Sequence, residues 1–409
     1  MAKNYADIYN SPNDSIGLDQ RWYLKVESQR GELVIPGNSD FLYTLSGGSI
    51  KYTQPREDSP HRSGRHMVGQ ITKKKETSWS FSTFFNIDEA LASADVAEID
   101  QPLRTLFQSA FGKEETSPHL KYSTAKNPDI CFSLYEVGDK WARVSRGAFV
   151  DGCTLSFPGD GEAKAEWSGS AKDAFFVGIG KSTVHNTTNT ITLQTGEGKA
   201  FRVGAPVMLV KADGVTRSSD TPAGSARTVT AIAGDVVTLS GAPLTDADGS
   251  ASPVYLSYYE PAAPVGINNP VTGLVGSMAI AGVNLSAFRG ATVTLANNHE
   301  KSDYYFGTDG LAGQIFVPAA KVSNTVKIDM NVNAEVIRLF NRIQDFEAQD
   351  VSIVLGEASG RRLEIRCPKV AFATPEIPVP DTGSVVVSFE GPALAASADA
   401  ANEIAVEFK

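Results

Sequence analysis

Apolar and polar residues alternate along most of this chain. Residues 78–85 read SWSFSTFF, 325–333 TVKIDMNVN, 234–241 GDVVTLSG and 253–260 PVYLSYYE. A period of two in β-branched and aromatic residues predicts half-buried strands. Helical spacing is confined to two stretches. In residues 99–112 it sets Leu103, Leu106, Phe107, Ala110 and Phe111 on one face, with Gly112 as the stop signal. In residues 334–347 it does the same for Val336, Ile337, Leu339, Phe340, Ile343 and Phe346. The pattern predicts a mainly β fold with one helix in each end segment.

The pattern also repeats. PGDGEAKAEWSG (158–169) and PDTGSVVVSFEG (380–391) share P-x-x-G, five residues, an aromatic, one residue and Gly. Each follows a segment that reads as a hairpin, 129–157 around Gly138 and 350–379 around Gly360. Each hairpin follows a helix, and each helix follows a strand ending at Asn86 or Asn333. Before each strand comes GQI (69–71 and 313–315), which reads as a loop. Five features in one order predict an internal duplication. Gly161 and Gly383 are expected to supply positive φ in the two P-x-x-G turns. Residues 181–264 are rich in Thr, Val and Gly and hold five or six short strands, the pattern of a small inserted barrel or sandwich. Residues 260–273 read as a Pro- and Gly-rich exit linker. Three domains follow: 1–180, 181–264 and 265–409. The insert is expected to be a surface module, dispensable for assembly.

Composition narrows the function. The net charge of −10 opposes gripping nucleic acid. It divides as −4, −1 and −5 over the three domains, so acidity is spread over both units. No run of about 18 apolar residues exists to span a membrane, and the first residues lack the apolar core of a Sec signal. Three widely spaced cysteines, Cys131, Cys153 and Cys367, predict a reducing compartment rather than a disulfide framework. Cys153 reads as a small core residue. His61 and His66 sit beside Arg62 and Arg65, whose charge opposes a cation. Residues 159–166 lack the ligand series of a calcium loop. No nucleophile elbow or P-loop is present. The expectation is a protein without catalytic, metal or cofactor site.

One segment stands apart. KYTQPREDSPHRSGRHMVGQITKKKETSW (51–79) is long, polar and basic between two strand patterns, and residues 297–325 are its counterpart. Such loops are uncommon in compact β domains and usually functional. It reads either as a disordered loop or as an arm that orders against a neighbouring subunit.

This organisation resembles the tail tube (major tail) proteins of long-tailed bacteriophages. SPHRSGRH, ITKKKETSWSFSTFF and GAFVDGCTLSFPGDGEAKAEWSGSA (147–171) are similar to that family's loop, first long strand and closing hairpin. The resemblance covers residues 40–180 well and 275–391 more loosely. It implies two tail-tube-like β-sandwich or barrel domains, each with one flanking α-helix, and a small inserted β-barrel or sandwich. It implies a structural virion protein, assembled in the bacterial host cytoplasm, that polymerises into stacked rings. Two tube domains per chain imply trimeric, pseudo-hexameric rings. The implied partners are other copies of the chain, the tape measure, tail terminator and tail-tip proteins, and double-stranded DNA sliding through an acidic lumen, with no membrane contact. Arg62, Arg65, Lys73, Lys74 and Lys75 would be the inter-ring contacts. A tail-tip or baseplate protein on the same fold, and a carbohydrate-binding adhesin, remain alternatives.

Overall fold

A computed structural model describes residues 3–11, 20–45, 47–58, 69–86, 99–125, 129–159, 161–185, 188–244, 254–261, 270–271, 275–285, 288–302, 314–318, 321–344, 347–356, 362–397 and 402–409. Helix α1 (Tyr5–Asn10) precedes strands β1 (Arg21–Val26), β2 (Phe41–Leu42), β3 (Ser49–Thr53), β4 (Arg56–Asp58), β5 (Gln70–Thr72) and β6 (Glu76–Phe84). Helix α2 (Gln101–Phe111) leads into β7 (Gly112–Glu115), β8 (Leu120–Thr124), β9 (Phe132–Val137), β10 (Ala142–Pro158), β11 (Lys164–Ser170) and β12 (Asp173–Val177). Strands β13 (Ile179–His185), β14 (Thr190–Leu193), β15 (Pro206–Val210), β16 (Arg227–Ala233), β17 (Val236–Leu239) and β18 (Tyr255–Tyr258) close into a barrel. There follow β19 (Gly276–Ile280), β20 (Val283–Leu285), β21 (Phe288–Ala296), β22 (His299–Ser302), β23 (Gln314–Pro318) and β24 (Ser323–Asn331). Helix α3 (Ala334–Gln344), β25 (Gln349–Leu355), β26 (Leu363–Val370), β27 (Val386–Pro392) and β28 (Ala405–Phe408) complete the chain. The fold is mainly β, with a six-stranded barrel between two sheet-rich segments.

The alternating sequences form strands because each buries one face. Strand β6 buries Thr77, Trp79, Phe81 and Thr83 and turns the residues between them outward. Helix α2 ends at Gly112, whose φ of 85° is left-handed and whose N–H reaches the Gln108 carbonyl. Helix α3 buries Val336, Leu339 and Ile343 but leaves Ile337 exposed, so its apolar face is narrower than the spacing predicts. Phe346 and Gly360 lie outside the described residues.

The two units share topology and register. In the first, β1, β9 and β12 form one layer with the start of β10, while β3, β6 and β11 form a second with its end. In the second, β19, β25, β26 and β28 match the first layer, and β21, β24 and β27 match the other. The P-x-x-G motifs lie 222 residues apart (158 to 380), and the same shift maps structure onto structure. The ladder of β9 with β10 is irregular between Ser145 and Ala148; that of β25 with β26 is irregular between Cys367 and Val370, 222 residues on. Trp167 pairs with Phe81 and Phe389 with Ile328, and both aromatics are buried. The motif's last glycine has a shared cause. A Cβ on Gly169 would collide with the Phe149 carbonyl oxygen, and one on Gly391 with the Ala371 carbonyl oxygen, again 222 residues on.

Three local readings are corrected. GQI is not a loop: Gln70–Ile71 lie in β5 and Gln314–Ile315 in β23, each the second strand of a hairpin between β3 and β6 or between β21 and β24. Gly383 has positive φ but Gly161 does not. The first turn is instead held by the second unit, since Gly159 donates to the Arg289 carbonyl at 2.8 Å and has no room for a Cβ there. The third concerns the barrel. It shares a core with the outer face of the first layer, joining Tyr23, Tyr135, Val137 and Phe175 to Val207, Leu209, Leu256 and Tyr258. The buried Glu260 carboxylate adds a polar anchor, with Lys3 Nζ at 2.9 Å, Arg21 at 2.8 Å and the Tyr5 hydroxyl donating at 2.9 Å. An ion pair this buried leaves an uncompensated charge when one partner goes. The barrel is therefore a structural part of the first unit.

Gly169→Ala and Gly391→Ala are each expected to destabilise by about 1–3 kcal/mol, because a methyl must displace a ladder backbone; wild-type denaturation midpoints for both would refute this. Replacing residues 179–258 by a flexible linker is expected to expose the Tyr23–Tyr135–Phe175 face. Strong binding of a hydrophobic dye and aggregation check it, and a soluble, dye-free shortened protein would contradict the shared core.

Candidate assembly interface

The interface between the two units begins with a strand that belongs to both. The end of β10 pairs with β11 on one side and β21 on the other, from Gly152 opposite Ala296 to Pro158 opposite Gly290. One continuous sheet therefore runs β3–β6–β11–β10–β21–β24–β27 through both units. Asn297 reinforces the join, donating to the Ala110 and Val150 carbonyls at 3.0 and 3.3 Å.

A second join lies in the other layer. The hairpin β7–β8 follows α2 but pairs with β28 of the second unit, from Leu120 opposite Phe408 to Ser123 opposite Ala405. Glu114 ties this hairpin to its helix, accepting from Arg104 Nε at 2.9 Å and Gln108 at 2.7 Å. Burial alone would raise the Glu114 carboxyl, but these hydrogen bonds and the Arg104 charge outweigh it and hold the group below its ordinary range. Between the joins Phe107 meets Trp167, Tyr122 and Phe408 at ring distances of 5.2, 5.1 and 5.5 Å. One aromatic side chain thus packs against both units.

The continuous sheet ends at β3 and at β27. Strand β3 pairs only with β6 among the described residues. Its Ile50 N–H donates to Glu136 Oε2 at 3.0 Å, and its carbonyl accepts from Arg143 at 2.6 Å. Glu136 is fully buried, and burial raises its carboxyl although Arg143 opposes the shift. At the other end, among the described residues, the side of β27 away from β24 meets only the chain following β26: Ala371 donates to Pro392 O at 3.1 Å and Ala373 to Glu390 O at 2.9 Å. Residues 374–380 then run without strand partners and expose Ile377 (46%) and Val379 (83%).

Each unit also projects a hairpin, β4–β5 between β3 and β6 or β22–β23 between β21 and β24. Arg62 and Arg65 lie outside the described residues. Lys73 is half-exposed on the first hairpin and pairs with Glu57 across it. Lys74 is half-buried at its base. Lys75 lies further in, bonded to Asp173 at 2.5 Å and 4.8 Å from the centre of the Tyr52 ring. The structure does not bring the three lysines together: Lys75 ties the arm's root to β12. Sequence reading passed over Glu136 and Arg143. It placed residues 374–379 in the return strand of the 350–379 hairpin, but that strand ends at Val370. Applying the 222-residue shift beyond the motif would have singled the segment out.

Chemistry elsewhere is sparse. All three cysteines are free and buried, and burial pushes the Cys131 and Cys367 thiols up to about 12. Among the described residues no group of three His, Cys, Asp or Glu side chains could hold a metal, and no helix is long and apolar enough to cross a membrane. His61 and His66 lie outside them. No protein-family model and no curated protein sequence matches the chain.

Phe107→Ala is expected to destabilise the chain by about 3–5 kcal/mol, because it empties the space where the units meet. Calorimetry checks it: an unchanged transition would remove Phe107 from the junction's energetics.

Proposed function

We propose that this chain is a structural virion protein that polymerises into the tail tube of a long-tailed bacteriophage. The observation that carries the reading is the continuous sheet. Two registered units stand head to tail in it, and the sheet still ends in a strand at β3 and an unpartnered arm beyond β27. A contact that repeats between unlike ends and closes gives a ring. Three chains would supply six units, and axial contacts would stack such trimeric, pseudo-hexameric rings into a tube. The hairpin arms β4–β5 and β22–β23 suit those axial contacts, because each projects from the same place in its unit. The acidic composition suits a lumen along which DNA slides, since like charge prevents the phosphates from sticking. Tape measure, terminator and tail-tip proteins would meet the tube within the virion.

Negative-stain microscopy and sedimentation of the full chain test the reading. Six-lobed rings and stacked tubes are expected, with stacking weakened by high salt or by Arg62→Glu with Arg65→Glu. A fixed small complex would favour a tail-tip role, and monomers under every condition would refute self-assembly.

A further inference from the structure

The junction inside the chain is a template for a junction between chains, and its register can be transferred. Residues 152–158 of β10 map onto 374–380 by the 222-residue shift. Strand β3 maps onto β21 by 243 residues (50 to 293), because Ile50 opposite Trp79 matches Val293 opposite Val326. Cys153, Leu155 and Phe157 are buried where β10 meets β21; their counterparts Pro375, Ile377 and Val379 carry the same apolar alternation, with Ile377 and Val379 exposed and Pro375 half-buried. The arm thus has the residue pattern of a sheet strand without the sheet.

The geometry points to residues 374–380 as the segment by which one copy of this chain docks on the β3 edge of another, between β27 and β3. The inference rests on the self-assembly proposed above and names its joint. Leu155 opposite Val293 transfers to Ile377 opposite Ile50, and Thr154 opposite Thr294 transfers to Glu376 opposite Lys51. The transferred register sets opposite charges face to face, which favours it over its one-residue slips. In the transferred register, which carries over the β10 bulge between Val150 and Gly152, Ile377 and Val379 present their N–H groups to β3, while Pro375 on the same side has none. In the lone chain the pairing with β27 stops after Ala373, because Pro375, the next residue in that phase, has no N–H to donate.

The β3 edge is guarded. Glu136 and Arg143 hold the two Ile50 backbone groups that the arm would take. Their counterparts in the second unit, by shifts of 217 (134 to 351) and 222, are Ile353 and Ile365. There the corresponding edge, β21, is already filled by β10. Polar side chains satisfy an edge that has no strand beside it, and apolar ones stand where a strand is in place. Docking therefore releases Glu136 and Arg143 from Ile50, leaving them paired with each other. Capping of this kind restrains indiscriminate edge pairing.

The test uses the full chain. Lys51→Cys with Glu376→Cys, which lie at opposite ends of the sheet, is expected to give a disulfide-linked ladder of chains on oxidation, with neither single variant doing so. Ile377→Asp with Val379→Asp should weaken self-association roughly a hundredfold. Lys51→Glu should weaken it, and Lys51→Glu with Glu376→Lys should restore it, a rescue that general misfolding cannot produce. Glu136→Ile with Arg143→Ile should strengthen association. Rings that form without a ladder, and that ignore the Asp pair, would overturn the joint while leaving self-assembly intact. A wild-type chain that stays monomeric would overturn both.

Discussion

Strand β10 has to leave one layer and enter the other without losing its ladder. It pairs with β9 and β12 at its start and with β11 and β21 at its end. The change is made at Ser145–Ala148, where the register shifts and Gly147 takes a φ of 61° that few other residues tolerate. Glu27 secures the bend: its buried carboxylate accepts from the Gly147 and Gly31 N–H groups, each at 2.6 Å, and from the Ser133 hydroxyl at 2.9 Å. A strand without this bend could not reach β21, and the first join between the units would be lost. Gly169 is subject to the same constraint, since the Phe149 carbonyl fills the place of its side chain just past the bend.

Much of this was legible in the sequence. Strands such as β6 and β24 alternate cleanly because one face is buried and the other is not. The repeat was legible for a backbone reason: a glycine forced by a carbonyl oxygen cannot drift, so its spacing from the aromatic survives in both units. The shared core of the barrel was not. Strand β9 is buried at all six positions, so Phe132 and Leu134 pack inward and Tyr135 and Val137 pack against the barrel, without the polar face that would have announced a second layer. Glu136, a charged residue within that buried run, gave no sign that its partner would be a backbone edge.

The two units have diverged where their surroundings differ. After α2 the first unit inserts β7–β8, which completes the layer of the second; after α3 the chain enters β25 within a few residues. The second unit therefore receives a hairpin it does not return. At the matching edges, Glu136 and Arg143 stand in one unit and Ile353 and Ile365 in the other.

A peptide tether changes the arithmetic of association. Two separate units would pair only as far as their concentration allowed. Within one chain the partner is present at an effective concentration set by the connection, and dilution does not reduce it. The doubly joined interface around Phe107 therefore persists in a dilute solution where any contact between separate chains would come apart. Mass action governs the chain as a pair, and never its halves.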